Sequence, residues 1–161
     1  QRNRPLGSPE STSNRAPRNM TQYAVDTSIL LRWFSQHHDA ETDRALRLRQ
    51  EQQEDHIKIT ILDSTLCELA HLLKETNRFS QRDVDAALTS IEFMHIQVVP
   101  YQTLIAHSAV QIAYEYDISV YSAGFIALGA NLKCQALTCD RYLYKKVANL
   151  PWVSFLTTVN F

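Results

Sequence analysis

Glycine is scarce in this chain of 161 residues, which contains only Gly7, Gly124 and Gly129. Loops that cradle phosphate groups need clustered glycines, because only glycine lets the backbone approach a phosphate closely, and these three are scattered. The sequence therefore excludes nucleotide-binding loops of the G-x-G-x-x-G and G-x-x-x-x-G-K-[ST] types. No apolar run reaches the roughly 18 residues of a membrane-spanning helix, so we expect no membrane span.

Cysteine is also scarce, with Cys67, Cys134 and Cys139 as the three examples. An odd number cannot pair completely within one chain, and the spacing matches no zinc-binding pattern. We therefore expect free thiols and a reduced, cytoplasmic setting. The 16 basic and 17 acidic residues give a net charge of −1, so overall charge predicts no attraction to nucleic acid and leaves only a local basic patch open.

The first 20 residues differ in composition from the rest of the chain. They contain four arginines, three serines, three prolines and three asparagines. Such a segment buries too little apolar surface to offset the entropy lost on ordering. We expect residues 1–20 to be a disordered N-terminal extension, either native or added ahead of a natural start at Met20, and residues 21–161 to form one domain. A basic arm that touches nucleic acid is the alternative.

Strand-like and helix-like patterns alternate along the rest of the chain. Strands are predicted at 21–25, 57–62, 95–99, 135–138 and 152–155, and helices at 27–34, 39–54, 64–75, from Ser80 onward, 104–116, 119–132 and 140–148. Ser80 and Asp83 have the spacing of a capping box. Strands separated by helices pair in parallel through right-handed crossovers. The pattern predicts an α/β three-layer sandwich with a central parallel sheet of four to five strands.

Aspartates follow three of the predicted strands, at Asp26, Asp63 and Asp140. Aspartate is a favoured N-cap, and this is the interpretation we favour for Asp63. For Asp26 and Asp140 a site at the carboxyl edge of the sheet is the second interpretation, because ligands of open α/β sheets bind there. Carboxylates that converge raise one another's pKa unless a hard cation binds between them. Glu68 lies beside the apolar stripe of its helix and either joins this cluster or faces solvent.

Four segments, taken in order, resemble the PIN-domain family, especially the VapC-like ribonucleases of bacterial toxin–antitoxin pairs. They are VDTSILL (25–31), LCELAHLL (66–73), SVYSAGFIALG (119–129) and LTCDRYL (137–143). Each segment alone is a weak signal, but their order and spacing match the family across about residues 21–155. The resemblance implies a parallel sheet flanked by helices.

The resemblance also implies an acidic pocket that binds Mg²⁺ or Mn²⁺ and hydrolyses RNA phosphodiester bonds. Asp26 matches the first metal-binding aspartate of the family, and Glu68 matches the glutamate on the third helix. Asp140 matches the aspartate after the fourth strand. The family thus implies a catalytic and metal-binding role for these three acids. Ser28 and Thr138 match small hydroxyl residues that line the pocket.

Ser122 is the main departure from the family pattern. The family has an aspartate in a Tyr/Trp-Asp-Ala motif, which here reads Tyr121-Ser122-Ala123. A neutral hydroxyl is a weaker ligand for a hard cation, so we expect Ser122 to line the pocket while metal affinity and activity are reduced. Two functions stay open: a metal-dependent endoribonuclease, weakened at this position, and an inactive PIN-like domain that binds RNA or a protein partner.

A short basic segment follows Asp140 and contains Arg141, Lys145 and Lys146. These side chains either meet an RNA phosphate backbone or form an ordinary solvated helix face. The family resemblance also implies a small antitoxin that covers the acidic groove, and a homodimer. The apolar segment 123–132 is a candidate dimer surface, with a place in the core as its alternative.

Overall fold

The computed structural model describes residues 19–161. The prediction that residues 1–20 are disordered therefore falls almost wholly outside the described residues, where only Asn19 and Met20 are placed. Within the described range, no helix combines the length and the apolar character needed to cross a membrane.

The centre of the fold is a five-stranded sheet in which all neighbouring strands are parallel. The strands are β1 (Thr21–Val25), β2 (Ile57–Leu62), β3 (Gln97–Val99), β4 (Gln135–Thr138) and β5 (Val153–Phe155). Their order in the sheet is β3-β2-β1-β4-β5. The predicted α/β class and parallel sheet are confirmed, and the central position of β1 places its carboxyl end in the middle of the sheet edge.

In residues 19–161, seven helices cover the two faces of the sheet. They are α1 (Thr27–Arg32), α2 (Ala40–Gln53), α3 (Asp63–Glu75), α4 (Gln81–Phe93), α5 (Thr103–Tyr116), α6 (Val120–Leu132) and α7 (Arg141–Val147), followed by a 3₁₀ turn at Leu156–Thr158. Successive strand residues point to opposite faces. Val25 accordingly joins a core formed with α1 to α4, whereas Ala24 joins a second core formed with α5 to α7. Two cores around one sheet make the predicted three layers.

Local signals in the sequence set most element boundaries. The Ser80–Asp83 capping box is present, since the Ser80 hydroxyl accepts from the Asp83 amide at 3.2 Å and the Asp83 carboxylate accepts from the Ser80 amide at 2.8 Å. The third strand is shorter than the predicted 95–99. His95 has a φ of 54°, in the left-handed region, and cannot belong to a strand; β3 therefore begins at Gln97.

The middle of helix α6 lies in the core. All residues from 123 to 129 are buried, so the core alternative for segment 123–132 is the one that the structure shows. Gly129 allows this close packing, because a Cβ atom added there would lie only 2.9 Å from the Cβ of Ala136 on β4. The chain uses a glycine here to bring helix and sheet together.

Candidate active site

A pocket of about 350 Å³ opens at the carboxyl ends of β1 and β2. Its lining carries polar groups, including Asp26 and Glu68. It also carries the aromatic residues Tyr101, Tyr121 and Phe125, which we call its aromatic side. This is the edge of the sheet at which the strand-end aspartates predicted a site.

Asp26 occupies the N-cap position of α1, but its side chain makes no capping hydrogen bond. Its Oδ2 instead accepts hydrogen bonds from the Ser28 and Thr138 hydroxyls, both at 2.8 Å. The residue is only 9% exposed. The side chain is therefore held in place by two other elements and does not serve as a helix cap.

Burial raises the pKa of Asp26 from its usual 3.8 to about 6. Removal from water is the largest cause, because it disfavours the charged form. The hydrogen bonds from Ser28 and Thr138 oppose the rise, and the charges of Glu68 and Asp140 add to it. The charges of Glu68 and Asp140 therefore reach Asp26, although the three acids come from three separate parts of the chain.

Glu68 lies one and a half turns into α3, is half-buried and faces the pocket. The Thr27 hydroxyl donates a hydrogen bond to its Oε2 at 2.8 Å. Of the two alternatives for Glu68, the structure favours a place at the pocket over full solvation. Thr27 was missed in the sequence analysis, although its position directly after Asp26 was the available signal.

Asp140 combines two roles. Its Oδ1 accepts from the Leu143 amide at 3.0 Å and so caps α7. Its own amide donates to the Thr138 hydroxyl at 3.0 Å, which in turn donates to Asp26. The N-cap interpretation of Asp140 holds for one oxygen, and the same residue remains linked to Asp26 through Thr138.

Asp63 is neither a site acid nor an N-cap. Leu62 occupies the N-cap position of α3, and the Asp63 Oδ1 accepts from the Tyr101 amide at 3.0 Å. Its carboxylate therefore ties the start of α3 to the segment after β3. This contact fixes Tyr101 at the aromatic side of the pocket.

Ser122 takes part in the cap of α6. Its amide donates a hydrogen bond to the Ser119 hydroxyl at 3.0 Å. The Ser119 hydroxyl in turn donates to the Ser122 hydroxyl at 3.0 Å. Ser122 is half-buried, and its neighbour Tyr121 is the residue that lines the pocket. The structure thus places Ser122 next to the pocket with its hydroxyl engaged by Ser119.

The carboxylate chemistry suits a hard divalent cation, and the spacing limits how it would be held. A metal site of three protein ligands needs His, Cys, Asp or Glu side chains close together. Within residues 19–161, one set of three meets a limit of 4.8 Å between ligand atoms, and it consists of Glu51, Glu54 and His56. That set lies at the end of α2, where His56 and Arg47 both contact Glu51. The predicted acids are more widely spaced. Mg²⁺ commonly binds one or two carboxylates and keeps several waters, and the pocket fits this mode.

The basic residues of α7 are not equivalent. Arg141 forms an ion pair with the buried Glu41 and lies 5.1 Å from the ring centroid of Phe155. Lys146 donates to the Asp117 carbonyl at 2.6 Å, at the end of α5. Lys145 is exposed and has no ion-pair partner in the part of the chain that the structure describes. Two of the three predicted RNA-binding residues therefore hold α7 in place.

Comparison with known proteins agrees with this architecture. A sequence model of the PIN domain matches residues 23–150. The chain therefore belongs to the PIN-domain family, as its motifs predicted. No curated protein matches the sequence.

Solved structures share the fold at low sequence identity. PAE2754 from Pyrobaculum aerophilum has a TM-score of 0.60 at 20% identity, over 86% of this chain and 91% of that one. A toxin–antitoxin complex from Klebsiella pneumoniae has a TM-score of 0.60 at 18% identity, over 84% and 97%. DNA-bound VapBC from Salmonella typhimurium has a TM-score of 0.58 at 16% identity, over 85% and 99%.

Proposed function

We propose that the chain is a metal-dependent endoribonuclease and the toxin of a toxin–antitoxin pair. The observation that carries this proposal is Asp26. A carboxylate is buried at the end of the central strand, is oriented by two hydroxyls, and does no capping work. Burying a carboxylate costs folding stability, and carboxylates kept in such a position are typical of functional sites.

The cation would be Mg²⁺ or Mn²⁺, held by Asp26 and Glu68 with Asp140 close by. When bound, such an ion supplies charge stabilisation at the phosphate and a more acidic attacking water. The Ser28 and Thr138 hydroxyls keep Asp26 in one orientation by binding Oδ2. Thr27 does the same for Glu68 through Oε2. These contacts reduce the ordering cost of binding, because the ligands are positioned in advance.

The protein's own carboxylates would also take up the proton that the attacking water loses. A carboxylate whose pKa lies near neutrality is suited to accept a proton from an attacking water. The pKa of about 6 of Asp26 belongs to the metal-free protein and would fall when a cation binds, so a carboxylate oxygen that does not hold the cation would accept this proton. Lys145, exposed in the last turn of α7, is the basic residue that we expect to meet the RNA backbone.

The test is cleavage of a labelled single-stranded RNA with Mg²⁺, with Mn²⁺, and with a chelator. We expect cleavage that depends on the cation and is lost in Asp26→Asn. Asp85→Asn is the matched control, because it removes the charge of an exposed aspartate on α4. Cleavage that survives Asp26→Asn, or that proceeds in chelator, would contradict the proposed mechanism.

A PIN-like domain that binds RNA or a protein partner without cleavage is the second candidate. Ser122 favours it, because the family pattern has an acid at this position and the hydroxyl here is engaged by Ser119. Titration calorimetry with Mg²⁺ and Mn²⁺ separates the two candidates. Absence of metal binding together with retained RNA binding would establish the second.

A small antitoxin and a second copy of the chain are the proposed protein partners. Several structural neighbours are toxin–antitoxin assemblies. The described surface exposes apolar side chains on α5, namely Leu104, Val110 and Tyr114. Exposed apolar groups on one helix are suited to a protein interface. Light scattering of the purified chain tests the homodimer, and co-purification with the product of an adjacent reading frame tests the antitoxin.

A further inference from the structure

The aromatic side of the pocket has no role in holding a cation. Tyr101, Tyr121 and Phe125 face the same space as the two pocket acids. Hard cations take oxygen ligands and gain nothing from an apolar wall. A ligand that needs both sides must carry an anionic or metal-binding part joined to a flat apolar part.

Tyr121 is the exposed member of this wall. It is 76% exposed, although it stands at the mouth of a pocket rather than on a plain surface. The cap of α6 by Ser119 fixes the backbone just before it. Within residues 19–161 its ring makes no aromatic pair with another ring. Its face is therefore available to a ligand.

Tyr101 and Phe125 form the fixed part of the wall. The amide of Tyr101 donates to Asp63 at 3.0 Å. A Cβ atom added at Gly124 on α6 would lie 3.6 Å from the Tyr101 ring, which shows how closely the ring packs on that helix. Phe125 is buried. These two side chains are held by the packing around them, whereas the exposed Tyr121 is free to adjust.

We propose that Tyr121 stacks on a nucleobase of single-stranded RNA, next to the phosphate that is hydrolysed at the acidic residues. This inference rests on the proposed function and names the residue that binds a base of the substrate. Single-stranded RNA is commonly recognised by splayed bases stacked on aromatic side chains. Every base has an aromatic face, so a stacking residue binds RNA with little sequence preference. The volume of about 350 Å³ lies in the usual range for small-molecule sites.

The test measures binding of a fluorescent single-stranded RNA of mixed sequence by anisotropy, in Mg²⁺ buffer. The full chain carries Asp26→Asn so that the RNA stays intact, and wild type is measured alongside with a chelator in place of Mg²⁺ so that it does not cleave the RNA. We expect Tyr121→Ala to weaken binding by roughly 5- to 150-fold, the range for loss of one stacked base. Tyr121→Phe should keep the affinity within about twofold, since the ring is retained. Phe93→Ala, which removes a ring 77% exposed at the end of α4, should have no effect.

A second measurement separates stacking from a structural role. Oligonucleotides with one abasic position should bind the parent more weakly when the missing base is the stacked one. The same abasic position should cost nothing further in Tyr121→Ala, because the two changes remove one contact. The melting temperature of Tyr121→Ala should equal that of its parent.

Four results would overturn the inference. Equal binding by Tyr121→Ala and its parent would overturn it and leave the proposed nuclease function standing. A loss in Tyr121→Phe as large as in Tyr121→Ala would assign the contact to the hydroxyl instead of the ring. Unchanged RNA binding with a loss of self-association would assign Tyr121 to a protein interface. Absence of RNA binding by both wild type and Asp26→Asn would overturn the inference and the proposed function together.

Discussion

Replacing Asp26 with asparagine should stabilise the metal-free protein while removing its activity. The pKa of Asp26 is about 6 in the folded protein against an ordinary value of 3.8. The folded state therefore binds more protons than the unfolded state between these values, and stability falls as the pH rises from about 4 to about 6. Above this window the charged form destabilises the fold by about 3 kcal/mol, because each tenfold change in proton affinity is worth about 1.4 kcal/mol.

Asparagine removes the ionisation and keeps the shape. Its amide oxygen can still accept from the Ser28 and Thr138 hydroxyls that now bind Oδ2. We expect Asp26→Asn to gain up to about 3 kcal/mol at pH 8 and little at pH 4, where the folded carboxyl is neutral and the unfolded one, with its pKa of 3.8, is only partly ionised. For a domain of this size the gain at pH 8 corresponds to about 6–12 °C in melting temperature.

The assay is urea unfolding of wild type and Asp26→Asn at several pH values from 4 to 8, with a chelator present. Asp85→Asn should show no comparable gain, because its carboxylate is exposed. A destabilised Asp26→Asn at pH 8, or a difference from wild type that does not change with pH, would refute the reasoning. Either result would mean that burial does not disfavour the charge of Asp26.

Three further predictions address other parts of the molecule. Ser122→Asp should tighten Mg²⁺ or Mn²⁺ binding by roughly tenfold if about 1.4 kcal/mol of charge attraction survives; calorimetry against Ser122→Asn tests this, and equal affinities would show that the position does not act on the cluster through charge. Gly129→Ala should destabilise the fold by about 1 kcal/mol or more in urea unfolding, because the added Cβ would lie 2.9 Å from the Cβ of Ala136. The cost of overpacking exceeds the gain in helix propensity, so a stabilised variant would contradict the close approach of α6 and β4. Deleting residues 1–19 should change the melting temperature little, and a loss of several degrees, on the order of 1 kcal/mol, would mean that the segment contributes to the fold.

Local physical signals explain which parts of the fold were predictable. The β-branched run at 57–62 and the Ser80–Asp83 spacing act within a few residues, and both elements have the predicted form. The left-handed turn at His95 depends on how one helix meets the next strand. No residue pattern predicts this turn, and the predicted strand at 95–99 was therefore too long.

The site was predictable only to the level of strand ends. The rule that parallel strands share a carboxyl edge brought Asp26 and Asp140 together as candidates. It could not show that one carboxylate is held by hydroxyls while the other caps a helix. The Arg141–Glu41 pair spans 100 positions and has no local signal. The aromatic wall was missed for the same reason, because Tyr101 meets the pocket only through the packing of α5 and α6.

The central position of β1 has a consequence for the order of events on the ribosome. Strand β1 can pair with β2 soon after residue 62 has been made, but its other neighbour, β4, begins at Gln135. The hydroxyl of Thr138, which holds Asp26, is 112 positions further along the chain, and Asp140 follows two residues later. A nascent chain that ends before residue 135 therefore contains two of the three acids without the strand that positions them. The acidic pocket is completed only when nearly all of the domain has been translated.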